Sequence, residues 1–413
     1  MSITDSRNGR ILLFGALYFT QGAIGGYVLV FNNLYLRAFG AAAWQLSLLN
    51  GLLVLPFILK IGVGLLSDKV KLRLPLLGVG YRRPYISLGL LLITIGVLAA
   101  AVVPPVEMYP LFVAMALFIA LGLATYDTVA DGYAIDVTPP EEQGQIQGVM
   151  VISRAFGLVL LSATYGRVIE QFGWYTIFIS VALITLMPQI ALRFAHEPPQ
   201  RAPSQAFSWA ALRSLWQPDV LLLCLYGVVN TMTIYGTNAI LTLFVNEGLG
   251  QSLTRVGDVA ALGGLGIILG GLAATYALRR PGNSIWTQGL WTVFAVFLIL
   301  LLMAFVATNN NLILMFLLWG VCVAAAELIY ITLAMAKSDR RMGAGQFAIF
   351  MAISNVGTGL GQSATTSLID TVDFRWIFVG LAASSLLMAP LLVAMRRDNA
   401  RNPNPLLTAV SGE

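Results

Sequence analysis

The sequence predicts an all-α integral membrane protein: twelve transmembrane helices in two pseudo-symmetric six-helix bundles. Three observations carry this. The 413-residue chain is 58% hydrophobic and only 10% charged, whereas soluble domains carry about 25% charged residues. Its apolar runs recur at the length, about 20 residues, that an α-helix needs to cross a hydrocarbon core of roughly 30 Å. Lys and Arg are plentiful in every second inter-span loop and sparse in the others, the pattern that sets membrane orientation.

Backbone groups in hydrocarbon must be satisfied within their own segment, so the apolar runs read as helices. The first half gives helices over 11–36, 44–67, 84–104, 108–133, 141–168 and 173–194. The second half gives 218–245, 253–278, 284–307, 311–336, 342–369 and 374–396. Pro104-Pro105, Pro139-Pro140, Pro281-Gly282 and the run Asn309–Asn311 supply breaks between them. In "TPPE", Thr138 reads as an N-cap, Pro139 as the first helical residue and Glu141 as the return partner of a capping box. The polar start and the long first run do not fit a cleaved secretory signal, so the first helix is expected to be retained.

The longest polar interruption divides the chain into a bundle over 1–195, a linker over 196–217, a bundle over 218–396 and a tail over 397–413. Within the linker, "FSWAALRSLW" interleaves aromatics with Arg213 and reads as a short helix lying in the membrane interface. A shift of 200 residues aligns Asp127 with Glu327, Gly157 with Gly357, Ile169 with Ile369, Glu170 with Asp370 and Phe178 with Phe378. The constant register supports two parallel halves.

Of the 24 basic residues, eighteen fall at the termini or in the even-numbered loops, among them Arg7, Arg10, Lys69, Lys71, Arg73, Arg82 and Arg83. Only Arg37, Arg167, Arg255 and Arg375 lie on the other side. A multi-pass protein of the cell membrane with both termini in the cytoplasm is expected. The net charge of +5 is then topology, not a nucleic-acid surface. Cys224 and Cys322 sit in apolar runs and read as packing residues, and the single histidine, His196, lies in a polar loop. These leave no metal spacing and no cofactor motif, and no nucleophile–base pair suggests an enzyme.

The remaining basic residues, Lys60 and Arg154, lie inside predicted spans with Asp127, Asp131 and Glu327. Each costs about 2.5–3.5 kcal/mol at a helix centre on insertion scales, so partners or water are expected. Asp127 and Asp131 share one helix face by their i, i+4 spacing, with Asp131 about one turn nearer the cytoplasmic end. Two readings stand for these charges. They form an ion network that fixes packing or holds a gate, or they bind substrate and couple it to protons; Asp127 and Arg154 lie deeper and favour the second. Glu327, with no base in its own helix, reads as a coupling acid or as a packed protonated one.

In the loop after the second helix, Gly64 permits close helix approach and Asp68 is placed to accept from another helix's N-terminus. Arg82 and Arg83 there read as positive-inside anchors. Gln21, Asn32, Asn50, Asn230, Tyr235, Asn238, Asn355 and Gln362 are candidates for a central cavity, or for hydrogen bonds between helices.

With "GLLSDK" followed by "YRRPY", the chain resembles the major facilitator superfamily along its whole length. "LPFILKIGVGLLSDK", "YDTVADGYAIDVTPPEEQG" and "ISRAFG" resemble more specifically the peptide/acetyl-CoA transporter group that includes the muropeptide permeases. Lys60, Asp68, Asp127, Asp131 and Arg154 occupy the positions at which that group carries Lys, Asp, an Asp-x-x-x-Asp pair and Arg. "GYRRPY" is also similar to the folate–biopterin transporters, and a bacteriochlorophyll-delivery group shares the same fold. The resemblance implies a secondary transporter of the inner membrane that works by alternating access; Lys60 and Arg154 point to an organic, anionic solute and Asp127 and Glu327 to coupling with protons, so a monomeric symporter is expected. A non-transporting assembly factor for pigment delivery is the alternative that the resemblance implies.

Overall fold

The computed structural model describes residues 2–75, 78–197, 216–278, 280, 283–338 and 344–401. Residues 207–215 of the predicted interfacial helix, Pro281-Gly282 and the tail beyond 401 lie outside the described residues. The described residues form twelve long helices: α1 Arg7–Ala38, α2 Ala43–Lys69, α3 Arg83–Ala100, α4 Tyr109–Val137, α5 Gln143–Phe172 and α6 Tyr175–Arg193, then α7 Pro218–Gly248, α8 Leu253–Leu278, α9 Ile285–Phe305, α10 Leu312–Lys337, α11 Ala344–Leu368 and α12 Phe374–Arg401. All of them except α11 are long and apolar enough to cross a membrane.

Two interruptions have a sequence cause. α2 breaks at Val54, two residues before Pro56, and α12 breaks at Leu387, three residues before Pro390. A proline inside a helix lacks the N–H that would bond to the carbonyl four residues back. The loop after α2 holds an element the pattern did not suggest, an antiparallel hairpin of β1 Leu72–Leu74 and β2 Gly78–Gly80, with Leu72 opposite Gly80.

The start of α5 corrects the expected capping box. Thr138 Oγ1 is buried without a hydrogen-bond partner, and Thr138 instead closes α4 in an extended conformation. Pro139 is also extended, at ψ 143, so the first turn begins only at Pro140, as a 3-10 turn over Pro140–Glu142. The second proline displaces the helix start beyond the threonine's reach. Glu142 is used differently: it pairs with Arg10 Nη2 at 2.6 Å.

The contacts divide the chain into two compact units. Unit 1 is Met1–Ala41, Leu52–Ser204 and Ser252–Ala261, and unit 2 is Ala42–Gly51, Gln205–Gln251 and Leu262–Glu413. Each sequence half therefore lends the beginning of one helix to the other unit: α2 begins in unit 2, and α8 begins in unit 1.

Glycines set the helix spacing in both. In unit 1 a Cβ at Gly122 would stand 2.5 Å from the Gly89 carbonyl oxygen, and one at Gly89 would stand 2.7 Å from that of Gly122, so α3 and α4 touch backbone to backbone. α1 and α5 meet likewise, Gly22 against the Arg154 carbonyl and Gly157 against that of Phe19. Tyr35 fills the end of this unit among Phe112, Trp174 and Phe178. In unit 2 the α7–α11 seam repeats the arrangement, with Gly357 against the Val228 carbonyl and Gly361 against that of Met232. Its buried cluster includes Trp286, Tyr226, Tyr330 and Phe350. Cys224 and Cys322 are buried and unbridged.

Gly122→Ala is expected to destabilise the protein by roughly 1–3 kcal/mol, the usual penalty for overpacking. Gly62→Ala, on a helix with nothing within 4 Å of the new Cβ, is the matched control and should be neutral or stabilising by up to about 1 kcal/mol. Thermal unfolding of the two variants in detergent measures the difference.

Candidate functional site

Unit 1 gathers the intramembrane charges on three neighbouring helices. Asp127 on α4 accepts a hydrogen bond from Gln21 Nε2 of α1 at 2.5 Å through Oδ1. Lys60 Nζ on α2 stands 3.6 Å from Asp127 Oδ2, with the Lys60 side chain 32% exposed and that of Asp127 15%. One turn along, Asp131 accepts from the Tyr18 hydroxyl of α1. Tyr18 and Gln21, at i and i+3, thus present two donors to two carboxylates at i and i+4.

The glycines explain how the donors arrive. Gly22, next to Gln21, lets α1 rest on the Arg154 backbone of α5, and Gly64 brings α2 against the Thr128 methyl of α4, with 3.4 Å to an added Cβ. Arg154 on α5 is exposed. Lys60, Asp127 and Gln21 form one cluster, with Asp131 and its Tyr18 donor a turn along. Asn32 is buried and accepts from the Tyr27 hydroxyl at 3.0 Å, a bond within one helix.

Nearer the end of the unit that carries the N-terminus, a second charge group is tightly closed. Arg82 is only 8% exposed. It reaches Asp68 Oδ1 at 2.8 Å, Asp136 Oδ2 at 2.7 Å and Ser67 Oγ at 3.1 Å. Gly132 makes room for the guanidinium, since a Cβ there would lie 2.8 Å from Cζ. Arg82 is thus not a loose interfacial anchor but the centre of an ion network, because two carboxylates at helix C-terminal ends need a cation. The structure gives Asp68 that arginine as a partner. Arg83 donates from Nε to the Leu192 carbonyl at 3.0 Å.

The first residues of the linker are held by the same corner. The Glu197 carboxylate accepts backbone N–H bonds from Tyr81, Arg82 and Arg83 at 2.8, 2.9 and 2.7 Å. Gly80 permits this, for an added Cβ would fall 2.2 Å from Glu197 Oε1. The Tyr133 hydroxyl donates to the His196 carbonyl at 2.8 Å, and Ile3 N donates to the Phe194 carbonyl at 2.9 Å.

In unit 2, Glu327 on α10 accepts from the Tyr235 hydroxyl of α7 at 3.0 Å, and Asn238 Oδ1 accepts from Trp319 Nε1 at 2.8 Å. Asn230 is fully buried, with neither amide atom hydrogen-bonded. Asn50 is buried and Asn355 and Gln362 are half-buried. Lys337 ties helix ends together, 2.8 Å from Asp219 and 3.5 Å from Asp398.

Sequence reasoning missed Tyr18, Asp136 and Glu197. Asp136 carried a usable signal, since an acid in the last turn of a helix opposes the dipole and calls for a cation. Tyr18 is one of 14 tyrosines in the chain and carried none.

A 272-residue match, 27% identical, covers 62% of this chain and 52% of the folate-biopterin transporter of Synechocystis sp. (strain ATCC 27184 / PCC 6803 / Kazusa). A 303-residue match, 24% identical, covers 67% of this chain and 58% of the anhydromuropeptide permease of Escherichia coli (strain K12). The chain thus spans little more than half the length of these curated relatives. Among solved structures, the nucleoside transporter NupG is similar at TM-score 0.75 and 14% identity, covering 94% of this chain and 99% of that one. A bacterial homolog to the human lysosomal transporter Spinster, in an inward-facing and occupied conformation, is similar at TM-score 0.70 and 17% identity, covering 95% and 97%. Both likenesses bear on the fold, and both agree with two six-helix bundles. The model of the Major Facilitator Superfamily matches residues 11–361, most of the chain, and the protein belongs to that superfamily.

Proposed function

We propose that the protein is a secondary active carrier that moves an organic, anionic solute across the cytoplasmic membrane together with protons. Residues 1–195 and 218–396 would rock against one another as a monomer, exposing a midplane site to each side in turn. The observation that carries this reading is the divided partnership of Asp127. Gln21 holds one carboxylate oxygen closely, while Lys60 stands off the other at 3.6 Å and is a third exposed. A solute carboxylate reaching Lys60 competes with Asp127 for that cation. Asp127 is then left with an uncompensated charge in a low-dielectric site, which a proton neutralises. Solute and proton would enter together for that electrostatic reason. Arg154 supplies a second accessible cation for the solute, and Glu327, which accepts a hydrogen bond from the Tyr235 hydroxyl, is a second proton carrier.

Of the cargoes that the relatives' names give, folate and an anhydromuropeptide carry carboxylates, whereas biopterin does not. A thermal-shift screen of purified protein with muropeptides, folates, acyl-CoAs and porphyrins identifies the solute, because a ligand that binds the native state raises its apparent stability. A porphyrin hit with no uptake of any solute would favour pigment delivery instead.

With the solute in hand, Asp127→Asn in proteoliposomes should abolish accumulation driven by a proton gradient while leaving solute exchange at equilibrium. Undiminished accumulation would remove Asp127 from the coupling. The Arg82 group, by contrast, is read as structural closure of the α2–α4 corner. Arg82→Gln leaves Asp68 and Asp136 without their shared cation and should cost about 3–5 kcal/mol in thermal unfolding. Adding Asp136→Asn should recover part of that loss; a double variant no more stable than the single would contradict the pairing.

A further inference from the structure

Glu170 and Asp370, the acids aligned by the 200-residue repeat, do the same work in the two units. In unit 1, Glu170 at the end of α5 accepts from Thr254 N at 3.1 Å and from Thr254 Oγ1 at 2.6 Å, so it caps the first turn of α8. In unit 2, Asp370, two residues past α11, accepts from Ala43 N at 2.7 Å and caps the first turn of α2. A carboxylate at a helix N-terminus satisfies orphan N–H groups and faces the positive end of the helix dipole. Both caps lie at loops that follow odd-numbered spans, on the side opposite the chain's termini by helix parity.

Each cap is part of a close backbone seam. A Cβ at Gly166 would lie 2.2 Å from the Leu253 carbonyl oxygen, and one at Gly257 would lie 2.3 Å from that of Ser162. Arg167 also grips Asp258 with two parallel bonds, 2.6 and 3.0 Å. In unit 2, Ser363 Oγ donates to the Ser47 carbonyl at 2.7 Å, and Gly51 leaves room for that hydroxyl.

The capped helices each change units just beyond the cap, and each carries a weak point there. α2 passes to unit 1 after Gly51 and breaks at Val54 before Pro56. α8 passes to unit 2 after Ala261 and meets Gly263, Gly264 and Gly266. Proline and clustered glycine are the usual sites of helix bending.

We propose that Glu170 and Asp370 are a matched pair of releasable latches, each a carboxylate from one sequence half capping a bendable helix of the other, that hold one side of the carrier shut. The inference rests on the transporter reading, because a latch matters only if the halves move. The two latches differ in strength. α8 has Ser252 to cap itself, its Oγ accepting from Arg255 N at 3.2 Å, and the Arg167–Asp258 pair besides. α2 begins in "AAAW", with no Ser, Thr, Asp or Asn at its start; Gln45 serves Ala42 N, and Asp370 serves Ala43 N. Asp370 is therefore the latch more exposed to mutation.

Double electron–electron resonance on full-length protein in lipid nanodiscs tests this without a solute. In a Cys224→Ser, Cys322→Ser background, spin labels at Trp44 and Thr371 report the Asp370 latch, and labels at Phe172 and Glu247 report the Glu170 latch. Asp370→Ala should raise a longer-distance population by about fivefold, the scale of a lost helix cap. Glu170→Ala should do so less, with Arg167 still in place. Should Glu170→Ala fail to remain monodisperse, Glu170→Asp, which shortens the cap but keeps its charge, takes its place. Distances unchanged in the variants of both acids overturn the proposal. A released distance in a protein that moves no solute would leave the latch standing and remove the transport reading, whereas solute uptake with unmoved distances would remove the latch alone.

Discussion

A charge placed among membrane helices must bring its own partner, and that requirement organises unit 1. Arg82 and Asp127 meet it in opposite ways. Arg82 is enclosed by Asp68, Asp136 and Ser67, all within 3.1 Å. Its cost of removal from water is met in one fixed arrangement, and breaking it leaves two carboxylates stranded. Asp127 is satisfied by an amide at 2.5 Å and only grazed by its ammonium at 3.6 Å. The first group behaves as structure, and the second retains a partnership that can be exchanged.

The glycine seams make both arrangements reachable. Helices whose backbones touch at Gly22, Gly89, Gly122 and Gly157 bring side chains into range that bulkier residues would hold apart. Within lipid, where hydrocarbon gives helices little reason to associate, such close packing is a main source of cohesion. The α1–α5 and α7–α11 seams use the same device in each unit, Gly157 and Gly357 standing in register. Where that register survives, the side chains around it have diverged: Asp127 is held by Gln21, and Glu327 by Tyr235.

Much of this was legible in the amino-acid sequence, and what was not has physical reasons. Helix number and most helix extents follow from apolar length, and the extent of α8, Leu253–Leu278, is readable from hydropathy alone. The grouping of Lys60, Asp127 and Asp131 followed from the expense of intramembrane charge together with helix periodicity. The donors to those acids did not, since Tyr18 and Gln21 become neighbours of α4 only through tertiary packing. Thr138 misled because the cap pattern is local, whereas two prolines and the end of α4 decided where α5 starts. Glu170 and Asp370 were visible as a repeat but not as caps, because the helices they cap are distant in sequence.

The cradle that holds Glu197 is made of backbone amides, and a peptide N–H is blind to the side chain beside it. Substitution at Tyr81 leaves that carboxylate's three bonds available so long as the new residue is not proline. Gly80 has no such freedom, because any larger residue meets the carboxylate at 2.2 Å. Among descendants of a common ancestor, drift at this corner should therefore be uneven: positions 80 and 197 change together or not at all, while position 81 wanders.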